Sequence, residues 1–160
     1  MSRDRTDAGG IRRTLGDHAF FGGMDPRHLD TLARMAAWSG HPAHSWLAHT
    51  GDAPNWFHAI VDGRVGIEID APGRDPLIVA TLHPGDVVGW SWFVDRQPWQ
   101  FDVVALDDVR TVAIDVEDLL DACASSEGLR HELTTRLLRV VASRLHGTRM
   151  QLVDVYGSAR

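Results

Sequence analysis

The spacing of apolar residues changes twice along this 160-residue chain. Residues 1–13 are polar and contain two adjacent glycines, which predicts a flexible N-terminus ahead of a folded unit over 14–156. In "GGMDPRHLDTLARMAAW", Leu29, Leu32 and Ala36 recur at helical spacing. Asp25 is placed to accept from the exposed N–H groups of that helix, and Pro26 suits its first position. From Trp38 to Ile114 the pattern shortens to "WFHAIVDG", "RVGIEID", "LIVATLHPGD" and "FDVVALDDVRTVAID". Val65, Ile67 and Ile69 alternate with Gly66, Glu68 and Asp70, the period of a strand with one face inward. "DAPGRDP" and "HPGD" are turn chemistry. Strands of this kind, joined by short turns, close best as an antiparallel β-roll, a jelly-roll arrangement, flanked by helices at both ends.

The last third returns to helix. Asp115 and Asp118 make an acidic capping box ahead of "VEDLLDACA", and a long helix is expected over about 126–156. Two stripes run along it. Leu129, Leu133, Leu137 and Val140 form one, suited to covering the roll. Leu138, Val141, Leu145, Thr148, Leu152 and Val155 alternate by three and four as a heptad seam. Gly147 lies within that seam at a cost of about 1 kcal/mol in helix propensity relative to Ala. The seam points to a homodimer paired along this helix; the competing reading packs both stripes internally.

Composition narrows the functions available. The formal charge is -6, with no run of Lys or Arg, so no direct DNA binding is expected. The lone Cys123 leaves no intramolecular disulfide. The N-terminus has no apolar stretch of signal-peptide length, and no apolar run reaches the ~18 residues of a membrane span, so a cytoplasmic protein is expected. No P-loop, H-E-x-x-H or G-x-S-x-G motif is present, and Ser91 has no base identifiable from sequence, so no enzyme and no cofactor are expected.

The order helix, roll, short helix, long helix resembles the cyclic-nucleotide-binding domain, in particular the sensory half of CRP-FNR bacterial regulators. The stretches that carry the resemblance are "AIVDGRVGI" and "LHPGDVVG", followed by "VRTVAID" and the closing helix. The resemblance implies a phosphate-binding cassette of the form G-E-L, a short helix and loop, then R-S-A or R-T-A. There the Glu accepts from the ribose, and the Arg neutralises the cyclic phosphate. In this chain Gly89 matches the glycine, Trp90 stands at the Glu, Gln100 at the Arg, Phe101 at the Ser or Thr, and Asp102 at the small residue. Arg96, four residues ahead of Gln100, is the one basic residue of the loop available as a substitute. Thr148 falls where the family places a hydroxyl that contacts the base, with Arg149 beside it. CRP-FNR regulators carry a helix-turn-helix after the long helix, and this chain stops at Arg160, so no DNA reading is expected by that route.

Two readings of the aromatic loop remain open. Trp90, Trp92, Trp99 and Phe101, with Ser91 among them, either fill the former nucleotide pocket or line it for a flat apolar ligand. The first makes the chain a ligand-free regulatory or scaffolding module acting on an unknown partner protein; the second makes it a sensor of a small aromatic or atypical nucleotide ligand. A cupin-type enzyme ranks last. In "GHPAHSWLAHTGD" the spacing of His41 and His44 sends them to opposite faces of a strand. No metal is expected; the resemblance to CRP-FNR regulators, some of which bind haem through a roll His, leaves His83 as the haem candidate, against its reading as a turn residue.

Overall fold

The structure, a computed structural model, describes residues 3–4, 7–70, 73 and 75–157, with side chains for 4, 7–70, 73 and 75–150. Among the described residues, nine strands form two antiparallel sheets packed as a β-roll, with helices against one of them. The five-stranded sheet runs β1 (Arg3–Asp4), β2 (Ala36–His41), β9 (Val109–Asp115), β4 (Trp56–Asp62), β7 (Val87–Val88). The four-stranded sheet runs β3 (Trp46–Ala48), β8 (Asp102–Ala105), β5 (Val65–Ile69), β6 (Leu77–Leu82). The helices are α1 (Ala8–Asp17), α2 (Pro26–Met35), α3 (Val116–Ser125) and α4 (Glu127–Gly157).

β4 and β9 are apolar on both sides because each divides two cores. Phe57, Ala59, Val112 and Ile114 face the helices, where they meet Leu15, Phe21, Leu32, Leu119, Leu129 and Leu133. Ile60 and Val109 face the roll with Val65, Leu82, Val88, Val103 and Ala105. The period of two along each strand delivers this division. Alternation on β5 fades with distance from the core: Val65 is buried, Ile67 half-buried and Ile69 exposed.

Two expectations are corrected. The folded unit starts at α1 rather than at residue 14, and even Arg3 and Asp4 pair with Ser39 and Trp38. Gly9 and Gly10 each cost about 1 kcal/mol in a helix. Ile11 and Leu15, both fully buried, each return about 1.5–3 kcal/mol. Asp7 caps the helix by accepting from Gly10 N at 2.8 Å, and a Cβ on Gly10 would overlap that carboxylate. The second correction is at Ala36, which opens β2; Leu29, Leu32 and Ala33 form the buried face of α2.

Asp25 caps α2 through Arg27 N, with Pro26 in the first turn, and its bonds from the Arg27 side chain and amide lower its carboxyl to about 2. Asp115 caps α3 through Glu117 N and Asp118 N. On α4, Leu129, Leu133 and Leu137 are buried, and Val140 packs partly buried beside them. Leu138, Val141 and Leu145 are exposed. The side chains of Leu152 and Val155 lie outside the described residues. Among the described residues, no helix is long and apolar enough to cross a membrane.

Candidate functional site

A cavity of about 210 Å³ opens inside the roll, lined by Leu47, Asp52, Asn55, Trp56, His58 and Trp99 among others. Strand alternation puts His58 on its wall: Phe57 and Ala59 turn to the helices, so His58 and Ile60 turn inward. Behind it lies a row of buried polar side chains on β2, β4 and β9. His58 Nδ1 is 3.0 Å from Thr111 Oγ1, His41 Nε2 is 3.0 Å from Ser39 Oγ, and the two imidazoles meet edge to face at 5.6 Å. All four residues are buried, so their hydrogen bonds satisfy groups that water does not reach.

Two loops form the rim. Gly51 N donates to Trp99 O at 2.8 Å and Trp99 N donates to Asp52 O at 2.9 Å, a single antiparallel rung outside any strand. Beside it Thr50 N donates to Asp102 Oδ1 at 2.6 Å, and that amide holds the Asp102 carboxyl below its usual range. Gly89 adopts a φ of +82° with the Trp99 ring against it, and a Cβ there would overlap the Trp56 carbonyl oxygen. Only glycine suits both demands.

The tryptophans of this loop divide between the two cores. Ser91–Phe93 is one turn of 3₁₀-helix. It leaves Ser91 exposed and turns Trp92, 3% exposed, into the helix-side core against Phe57 and Phe93. Trp90 packs against the same core with the Arg144 guanidinium over its ring at 5.6 Å. Trp99 alone of the three joins the roll core.

A family model described as the cyclic nucleotide-binding domain matches residues 41–126, more than half of the chain. This chain belongs to the cyclic nucleotide-binding domain family. A CRP-like cAMP-activated global transcriptional regulator of Mycobacterium tuberculosis is 27% identical over 135 residues, 84% of this chain and 58% of that protein. The chain thus spans little more than half the length of that relative. A cyclic nucleotide-binding domain from Methylobacillus flagellatus KT has the same fold, with a TM-score of 0.77 at 18% identity, covering 94% of this chain and 84% of that one. A cAMP-binding acyltransferase from Mycobacterium smegmatis contains it as well, with a TM-score of 0.69 at 23% identity, covering 88% of this chain and 42% of that one.

The residues that only the sequence resemblance aligns with the nucleotide-binding cassette fall in different places. Trp90, at the Glu position, is packed into the helix-side core. Gln100 and Phe101, at the Arg and Ser positions, are exposed, and Asp102 is engaged with Thr50. Arg96 pairs with Glu117 on α3 at 3.0 Å. On α4, the Thr148 hydroxyl donates to Arg144 O one turn back; Thr148 and Arg149 are both exposed, and neither lines the roll cavity. Asp52, Asn55 and His58 escape a reading of the cassette motif, since they come from β4 and the loop before it. The inward period of β4 is the one sequence signal that points to His58. His83 lies in the exposed turn before Asp86, and among the described residues no three of His, Cys, Asp and Glu gather as a metal site.

Proposed function

We propose that this chain is a regulatory or scaffolding module whose roll does not hold a cyclic nucleotide in the usual mode, and that it acts on a partner protein as a dimer paired along α4. The supporting observation is the charge at the cassette. Where a cyclic phosphate needs a cation, Asp102 supplies an ionised carboxylate fixed by an amide N–H, Gln100 is neutral, and Arg96 lies on the surface paired with Glu117. An anion buried there without a countercharge would cost several kcal/mol. The exposed Leu138, Val141 and Leu145 of α4 favour pairing with a second copy.

Calorimetry with cyclic AMP and cyclic GMP is the direct test. The expected result is no saturable heat at ligand concentrations up to about 1 mM, weaker than -4.1 kcal/mol. Micromolar binding of either nucleotide that disappears in Arg96→Ala would overturn the reading, because it would mean that Arg96 leaves Glu117 to serve the phosphate. A second reading is favoured by the roll cavity itself: Trp99 offers a stacking face, and Asp52, Asn55 and His58 offer polar groups to a small neutral or cationic ligand. A small aromatic molecule retained by the native protein in mass spectra, and lost in Trp99→Ala, would favour that sensor.

A further inference from the structure

A second groove, of about 270 Å³, lies outside the roll, where α4 crosses the α1–α2 link and the turn before β7. One face of α4 lines it with Arg136, Arg139, Val140 and Arg144, positions related by helical spacing. Phe20 forms part of the opposite wall and Asp86 the turn side.

The arginines are not equivalent. Arg136 is a strut: its Nη1 donates to Phe20 O at 2.7 Å and Gly22 O at 3.1 Å, and its Nη2 pairs with Glu132 at 3.1 Å. Arg144 is half-buried, donates from Nη2 to Val87 O at 2.5 Å, and covers the Trp90 ring. No carboxylate comes within 4.0 Å of it among the described residues, and burial pushes its guanidinium pKa down against the opposing charge of Asp86. Arg139 is exposed and likewise has no ion pair among the described residues. Of three guanidiniums, Glu132 neutralises one and Asp86 offsets one, which leaves a single positive charge facing the groove. A guanidinium presents five N–H donors in a planar fork suited to an oxyanion, and among the described residues Arg144 directs one of them to Val87 O. Arg144 is partly desolvated with Asp86 offsetting it from beyond ion-pair distance, and the exposed Arg139 has no ion pair among the described residues, so the pair is a place where an anionic ligand gains charge complementarity.

We propose that this groove binds a small molecule with one oxyanion head, carried on a compact apolar body: the head between Arg139 and Arg144, the body against Phe20 and Val140. Phosphate monoester and carboxylate share that chemistry. The site is distinct from the roll cavity and stands whether or not the module binds anything there.

The probes are phenyl phosphate, benzoate and inorganic phosphate, titrated calorimetrically into the full-length protein. At least one of the two aromatic anions is expected to saturate with an affinity about tenfold above that of inorganic phosphate, since the ring adds apolar burial. Which of the two binds tighter identifies the head group. Arg139→Gln, at an exposed position that leaves the fold intact, is expected to weaken binding about tenfold. Arg34→Gln, an exposed arginine on α2, is the control and is expected to change nothing. Ser143→Leu, which projects a larger side chain into the groove, is expected to abolish binding of the aromatic probes with an unchanged circular dichroism spectrum. The proposal is overturned if neither aromatic anion saturates, if Arg139→Gln binds as well as Arg34→Gln, or if a hexaglutamate peptide binds and the small anions do not.

Discussion

His18 is buried yet has both ring nitrogens within reach of partners. Phe20 N lies 3.2 Å from Nδ1 and, as an amide, must donate, so Nδ1 is the acceptor and Nε2 carries the proton offered to Ile60 O at 3.0 Å. A second proton would meet an N–H. Burial pushes the His18 pKa below 6.5, against the bond to Ile60 and the charge of Asp86. As pH falls through 6.5 the unfolded chain takes up the proton first, while the folded chain resists it. The contribution to stability is therefore complete above that value and is lost as pH drops toward the lowered folded value. Melting temperatures between about pH 7.5 and pH 5 are expected to fall in the wild type and to fall less steeply in His18→Gln, whose amide keeps the bond to Ile60 at a cost of about 1 kcal/mol at the upper pH. Equal slopes would assign the pH dependence to other groups.

At the scale of elements, the loop from Gly89 to Asp102 holds two layers together. Trp92 belongs to the helix-side core and Trp99 to the rim of the roll, so truncation separates them. Trp92→Ala is expected to destabilise by about 3–5 kcal/mol and Trp99→Ala, which borders an existing cavity, by about 1–2 kcal/mol. Urea unfolding of the two variants measures this; equal losses would mean that the loop is held as one aromatic cluster. Trp92→Phe is expected to cost less than Trp92→Ala, because it keeps a ring and removes an indole N–H that has no partner in the core. The division of the tryptophans was not legible in the sequence: a single 3₁₀ turn inside a loop has neither the strand period nor the helix period. The capped starts of α2 and α3 were legible, because Asp25–Pro26 and Asp115–Asp118 carry their own hydrogen-bonding logic. α1 was not, since its three glycines, Gly9, Gly10 and Gly16, argue against a helix and only the burial of Ile11 and Leu15 overrides them. Arg144 was missed for a related reason. Its place over Trp90 depends on where α4 crosses the loop, which no local pattern encodes.

For the whole molecule, the two stripes of α4 are the basis of the proposed dimer. Leu137 is 6% exposed while Leu138 is 64% and Leu145 50% exposed, so one helix face is spent on the core and the other is left apolar in the single chain. In the proposed dimer, a second copy presenting the same face would bury it with two-fold symmetry. Leu145→Glu is expected to set like charges across that axis and to give a monomer with unchanged β-sheet signal, while the wild type sediments as a dimer at tens of micromolar. A wild type that stays monomeric at about that concentration would rule out pairing along α4 as the use of this face. The division of α4 into two stripes was visible from spacing alone, because a helix of this length repeats its period often enough to resolve both.

The rung between Gly51, Asp52 and Trp99 has a kinetic consequence. Both rims of the roll cavity are loops that would otherwise fluctuate separately, but with two main-chain bonds between them neither moves aside alone. A molecule too large for the open mouth would be expected to enter only when these two bonds break together. For such a ligand the association rate would be expected to follow how often the rims part rather than diffusion, with release slowed by the same step.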